Sequence, residues 1–383
     1  MKKVLIVTDL SFPKGSAMAS RILSFCHLFK DLGYDVHVIT GKYENSDVVY
    51  DKCIDESFYS YEVVKSNRSY RMQSYLGNEN LSKRVDEYLN NNEVDFVFTT
   101  SLNASFKKVF DIVKKHNKKI ILEQCEWFDS SSYTFGSLDP RFRTFTNNIQ
   151  NNFKKVDGAI AISRLLFDYY KELNVNVVRI PSILDVTNIP FNTSLNNEKI
   201  KLVYTGNSSK SKELLKPILQ ALASNEKYLN GFKFDIYGLS EKQVIKNIEN
   251  DNALFNKVKN IINIHGFVNQ DRIQDILFNS DYQIFIRPNR KSSNAGFPTK
   301  LAESMSVGTP VITNDTGDIS LYLKDGVNGY ICKDINAESI KDVFDRILVD
   351  NSKTLRKESR NTAESSFDYK NYLNDVKNLI EKI

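Results

Sequence analysis

Lys300 and Glu303 stand three residues apart in the stretch SSNAGFPTKLAESMSVGTPVITNDTGDISLYLKDGVNGYIC, residues 292–332. It reads as a loop, a short helix, a Gly-Thr-Pro break, a buried strand and a Gly-rich turn. A spacing of three puts both side chains on one helix face. A cation and a carboxylate there suit two parts of one ligand, with phosphate for Lys300 and a sugar diol for Glu303. Asn294, Gly296, Phe297, Pro298 and Thr299 lead into the helix start, where free N–H groups and the helix dipole favour an anion. A carboxylate in this place also serves as a simple helix cap, so both roles stand open.

Other residues could join this chemistry. Arg287 follows an apolar run in FIRPNRKSSN and needs a partner, either a structural carboxylate or a ligand phosphate. In YTGNSSKSKELL, Gly206 and Asn207 precede Lys210 and Lys212, which read as diphosphate neutralisers or as a solvated basic turn. In the first half, ILEQCEWFD gathers Glu123, Glu126 and Asp129 around the only Trp, Trp127. Carboxylates at a strand's carboxyl end suit polyol binding or general-base work, and an aromatic face suits a sugar ring. A solvated acidic loop is the plainer reading. The Gly15–Ser16 loop lacks GxGxxG and is either a strand-to-helix turn or the lip of a cleft. No HExxH or Ser-His-Asp pattern occurs, and the four histidines show no ligand spacing. The four cysteines form no CxxC pair, so neither a metal centre nor a redox pair is expected.

These residues need elements to hold them. Lys3–Thr8 (KVLIVT) is a short apolar run of the buried parallel-strand kind, followed by a helix over 17–32 and a second strand, DVHVIT. Further strands are expected at 61–67, 96–101, 120–129, 158–163 and 177–182, with helices at 81–89, 104–116, 144–155 and 164–173 between them. The tract 184–199, with Pro190 and several Asn, reads as a linker. The alternation restarts with strands at 201–206, 233–238, 262–266 and 282–286, and helices at 241–249, 269–279 and 337–349. The last 17 residues read as an amphipathic helix. The fold class is therefore α/β, with two Rossmann-like βα domains facing across a cleft.

The 383 residues allow two or three domains. Hydrophobic residues make up 41% and charged residues 26%, a globular balance. A net charge of +5 is too mild for a nucleic-acid partner but fits phosphate-bearing ligands or weak contact with anionic lipid. No apolar run reaches the ~18 residues of a membrane span. The N-terminus lacks a signal-type apolar segment and cleavage site. A cytoplasmic protein is expected, peripheral at the inner face of a membrane at most.

In these motifs the chain resembles the GT-B glycosyltransferases, specifically the retaining family 4 group. The likeness concentrates in GFPTKLAESMSVGTPVITNDTGD and the DGVNGYIC that follows. Glu303 falls on the family's second Glu, a ribose ligand, and Gly296–Thr299 on its donor loop. Ala295 stands where the family's first Glu would be. Asn207 stands where the family has Arg, and Lys212 falls on its Lys. The resemblance implies residues 1–185 as an acceptor-side domain, 186–365 as a nucleotide-sugar domain and 366–383 as a helix returning to the first. It implies a hexosyltransferase acting with retention, without metal or other cofactor. The donor would be a UDP- or GDP-linked sugar, and the acceptor a saccharide or lipid-linked glycan of bacterial surface polysaccharide. The expected catalytic set is Glu126, Glu123, Lys212 and Arg287. The donor set is Gly15, Ser16, Gly206, Asn207, Lys212, Asn294, Gly296, Phe297, Pro298, Thr299, Lys300 and Glu303. Two alternatives remain: a nucleotide-sugar epimerase, and a degenerate nucleotide-sugar-binding subunit.

Overall fold

The computed structural model describes residues 2–42, 53–193, 198–206, 213–349 and 353–383. They divide into two units. The first comprises Met1–Leu184 with Tyr369–Ile383, and the second Asp185–Asp368.

The first unit is built on strands β1 (Lys2–Ser11), β2 (Tyr34–Lys42), β3 (Ile54–Asp55), β4 (Ser60–Val63), β5 (Phe96–Thr99), β6 (Lys119–Gln124), β7 (Gly158–Ala161) and β8 (Asn176–Arg179). Their order in the sheet is β3-β4-β2-β1-β5-β6-β7-β8. All neighbours run parallel except the short β3–β4 pair. Val4, Leu5, Ile6 and Val7 are fully buried, because parallel sheets carry helices on both faces. The helix Ala17–Asp31 packs Ile22, Phe25 and Phe29 into this core. It begins at Ser16, whose hydroxyl accepts from the Ala19 N–H at 3.1 Å. The closing helix Leu373–Glu381 belongs to the same unit, where Tyr369, Val376 and Leu379 enter the core.

The second unit has six parallel strands: β9 (Ile200–Thr205), β10 (Phe232–Tyr237), β11 (Ile262–Gly266), β12 (Tyr282–Ile284), β13 (Val311–Asn314) and β14 (Gly329–Cys332). They are ordered β11-β10-β9-β12-β13-β14. The neighbours β9 and β12 are not consecutive, so the chain reverses its direction of travel across the sheet there. In open α/β sheets that switch point is where ligands bind, beyond the carboxyl ends.

Three expectations change. The strand read over 120–129 stops at Gln124, because its neighbour β7 ends at the same pair, Gln124↔Ala161. The Gln124 amide then turns to the Glu126 carbonyl at 2.5 Å. The tract read as a linker is bonded into the second unit over its described start: Arg360 donates to the carbonyls of Val186 and Ile189, and Arg356 to that of Asn192. Both arginines lie on a helix, Lys353–Ser366, that the sequence pattern did not mark. Its many charged and polar residues hide the periodicity, and its buried face includes these two cations.

Candidate functional site

The carboxyl end of β9 is Thr205, followed by Gly206. The carboxyl end of β12 leads through Phe285 and Ile286 to Arg287. Between these ends enters the helix Thr299–Ser306, with Pro298 at its cap. Lys300 extends over the ring of Tyr204, 4.6 Å from its centroid, and within 5.7 Å of that of Phe285. Its ammonium donates to Glu213, which also accepts from the Tyr204 hydroxyl at 2.6 Å. A Cβ on Gly206 would lie 2.6 Å from the Lys300 Nζ, so a larger residue there would have to displace the end of the lysine. Burial lowers the Lys300 pKa, although Glu213 opposes the shift.

Arg287 is held from both sides of its backbone. Its N–H donates to Asn314 Oδ1 at 2.7 Å, and its carbonyl accepts from the same amide at 2.8 Å. The guanidinium donates to Thr316 Oγ1 at 3.2 Å. Among the described residues no carboxylate forms an ion pair with it. Burial outweighs the distant pull of Glu213 and brings its pKa down to about 10. Arg287 and Lys300 are therefore both desolvated, and only Lys300 is bonded to the Glu213 carboxylate that attracts them both, an arrangement that favours an added anion.

Glu303 lies one turn beyond Lys300 and is 8% exposed. Burial pushes its pKa up to about 7, against the attraction of Lys300 and a 2.8 Å hydrogen bond from Gln270. The side chain is no helix cap. It is a buried acceptor with its second oxygen open to another donor.

The donor loop divides by role. Phe297 packs its ring on Tyr322 and Phe367, so only its backbone is available to a ligand. Asn294 joins two loops: its amide donates to Asn289 at 2.9 Å, and its oxygen accepts from the Gly317 N–H at 2.9 Å. Asn294 thus braces two loops, and its second amide hydrogen and second oxygen lone pair are what it could still offer a ligand. Ala295 beside it is fully buried. Gly296 is extended, at φ −90° and ψ 160°, and hands the chain to Pro298 and Thr299 at the helix start. The readings of Asn207, Lys210 and Lys212 lie outside the described residues.

In the first unit Glu123 is corrected outright. It is 2% exposed, and its carboxylate takes the Arg21 Nε at 2.7 Å and the Cys125 thiol. Arg21 also donates to the carbonyls of Ile180 and Pro181. Strand alternation turns Glu123 under the helix that carries Arg21, where an unpaired charge would be costly. Glu126, two residues on and past the strand end, is half-buried and keeps its candidacy. Trp127 sets its ring edge-on to Tyr169, centroids 5.0 Å apart. Gly15 takes φ +102°, and the Ser16 oxygen is occupied as a cap, so this loop can offer a ligand mainly its backbone.

Sequence reading missed Glu213, Tyr204 and Gln270. Glu213 stood at the end of a polar loop with nothing to mark it as the counter-charge of a lysine 87 residues on. Among the described residues no group of His, Cys, Asp or Glu is placed to hold a metal ion.

Comparison with known proteins agrees with this architecture. The signature of the family described as glycosyl transferases group 1 matches residues 185–365. An uncharacterized glycosyltransferase of Methanocaldococcus jannaschii is 22% identical over 414 residues, spanning 100% of this chain and 98% of that protein. Sucrose-phosphate synthase from Thermosynechococcus elongatus superposes with a TM-score of 0.78 at 13% identity, over 100% of this chain and 99% of that one. Anabaena HepE in complex with UDP and glucose superposes at 0.72 and 12% identity, over 100% of each chain. The chain therefore has the GT-B fold, and its residues 185–365 match the family described as glycosyl transferases group 1.

Proposed function

We propose that the chain transfers a hexose from a nucleotide-sugar donor to a saccharide or lipid-linked acceptor with retention of configuration. Such a reaction would serve the building of bacterial surface polysaccharide or a related glycoconjugate. The observation that carries this reading is the pairing of desolvated Lys300 and Arg287 with the buried acceptor Glu303 at the sheet's switch point. The two cations suit a diphosphate, and the carboxylate one turn along the helix suits a ribose diol. A uridine donor is favoured over a guanosine one, because a structural neighbour is known in complex with UDP and with UDP-glucose.

In this reading the departing diphosphate takes its compensating charge from Lys300, Arg287 and the N–H groups at the start of helix Thr299–Ser306. No metal is required for that step. Lys212 is a third candidate cation on family grounds. Gly206 and the backbone of Gly296–Thr299 would line the phosphate and sugar. Glu126 would orient the acceptor hydroxyl, and the Gly15–Ser16 backbone would border the sugar.

The test begins with a panel of nucleotide sugars screened by thermal shift, since a ligand bound only to the folded state raises the melting temperature. Glu303→Ala should weaken UDP binding by about tenfold to a hundredfold in calorimetry, the range of hydrogen bonds to a charged group. Unchanged affinity would remove Glu303 from the ribose. NMR of the product then reads the anomeric configuration, and an inverted signal would exclude retention. Conversion of donor without acceptor would point instead to an epimerase.

A further inference from the structure

Glu213 is an anion that the chain itself places among the cations at the switch point. Its backbone is tied to the end of β12. The next residue, Leu214, donates its N–H to the Ile286 carbonyl at 2.8 Å, and Ile286 directly precedes Arg287. The Glu213 side chain reaches β9, where one oxygen, Oε2, accepts from two donors: the Tyr204 hydroxyl at 2.6 Å and the Lys300 ammonium. Tyr204 is 1% exposed, so its hydroxyl needs an acceptor, and burial together with Glu213 keeps the phenol protonated. The same carboxylate attracts the guanidinium of Arg287 without bonding to it.

The two ends of the Lys300–Glu213 pair are held differently. Glu213 is fixed by two donors on its oxygen and by the backbone bond of its neighbour to β12. Lys300 reaches it on a flexible four-carbon stem, with its ammonium 4.6 Å from the ring of Tyr204 and 5.7 Å from that of Phe285. Contacts to aromatic faces are less directional than hydrogen bonds, so the lysine is the partner that can turn. Both side chains are shielded, Lys300 at 16% and Glu213 at 11% exposure. Phosphate brought to this ammonium meets the carboxylate already bonded to it, and like charges repel strongly where water is scarce. Binding then gains only the difference between the lysine's bond to phosphate and its bond to Glu213.

We propose that Glu213 is a built-in competitor for a diphosphate ligand: it holds Lys300 until phosphate binds and then yields it. The inference rests on the diphosphate site proposed above and adds how that site is regulated. An anion poised to take the lysine back keeps UDP loosely bound and helps it leave after transfer.

Calorimetry with UDP, uridine and inorganic pyrophosphate tests the exchange. Glu213→Gln keeps an acceptor for Tyr204 and removes the charge, so it should bind UDP and pyrophosphate about tenfold more tightly than wild type, with uridine unchanged. A carboxylate that merely braces the lysine would give a loss instead. UDP binding that is equal or weaker in the variant overturns the inference and leaves the proposed function standing. An equal gain for uridine also overturns it, because the effect would then lie at the nucleoside. Tighter pyrophosphate binding by the variant, with UDP bound by neither protein, upholds the exchange while the nucleotide-sugar reading fails. No binding of any probe by either protein overturns both. The second arm needs no variant. A crystal structure of the wild type with UDP should show the Lys300 ammonium on a phosphate oxygen and out of hydrogen-bond reach of Glu213. UDP bound with Lys300 still on Glu213 overturns the proposal.

Discussion

Glu303 carries a stability cost that depends on pH. Its folded pKa of about 7 lies above the ordinary value of 4.5, so the folded state holds its proton more tightly than the unfolded chain does. The stability this gives is complete below about pH 4.5 and lost as pH rises through 7. Replacing it by Gln removes the ionisation but keeps the shape. Urea melts should therefore show Glu303→Gln gaining on wild type by about 2–3 kcal/mol between pH 5 and 8. An equal difference at both pH values would show that the buried carboxyl does not titrate there. Lys300 allows a second prediction. Lys300→Met keeps the apolar stem over Tyr204 and removes the charge. Its affinity for UDP should fall about tenfold or more while that for uridine holds, because only the former carries phosphate. Equal losses for both ligands would place the lysine away from the phosphates. Both residues were legible as candidates, since a spacing of three on a short helix is a local property. Glu213 was not, because its bond to Lys300 spans 87 positions.

Two elements hold the site by means that spacing alone does not reveal. Gly206 ends β9 under the Lys300 ammonium, and a methyl group there would meet both Nζ and the Tyr204 hydroxyl at 2.6 Å. Gly206→Ala should displace the lysine and weaken UDP binding in calorimetry, in parallel with Lys300→Met. Unchanged binding would show that the lysine has room to move. The helix Lys353–Ser366 acts through Arg360, which is 4% exposed and donates to the carbonyls of Val186, Ile189 and Ser306. Ser306 ends the helix that carries Lys300 and Glu303, so Arg360 secures that helix to the start of the second unit. Arg360→Ala leaves these carbonyls without their donor and should cost about 3 kcal/mol, read by urea denaturation. A loss below about 1 kcal/mol would mean that water replaces the guanidinium.

At the scale of the molecule, the chain's last fifteen residues are part of the first unit, and Tyr369, Val376 and Leu379 lie in its core. Gly158 on β7 leaves space for this tail, with Leu379 3.2 Å from where its Cβ would be. Ending the chain at Asp368 would expose those three side chains, each worth about 1.5–3 kcal/mol, a large share of a domain's net stability. Calorimetry of the truncated chain should show one transition moved to much lower temperature, with the second unit's transition retained. Two unchanged transitions would show the tail to be an ornament. The alternation of apolar runs with amphipathic stretches was enough to read two βα units, because local periodicity decides strand or helix. The stretch around Lys300 and Glu303 was enough to locate a candidate donor site, because helix spacing and loop chemistry are written in consecutive residues. Which acids are locked into buried ion pairs was decided only by the tertiary structure. Glu123 and Glu126 are indistinguishable acids in sequence, yet one is buried on Arg21 and the other lies past the strand end. The difference arises from strand alternation combined with a helix that starts a hundred residues earlier. A carboxylate's role depends on its burial and its nearest cation, and both are set by parts of the chain far away in sequence.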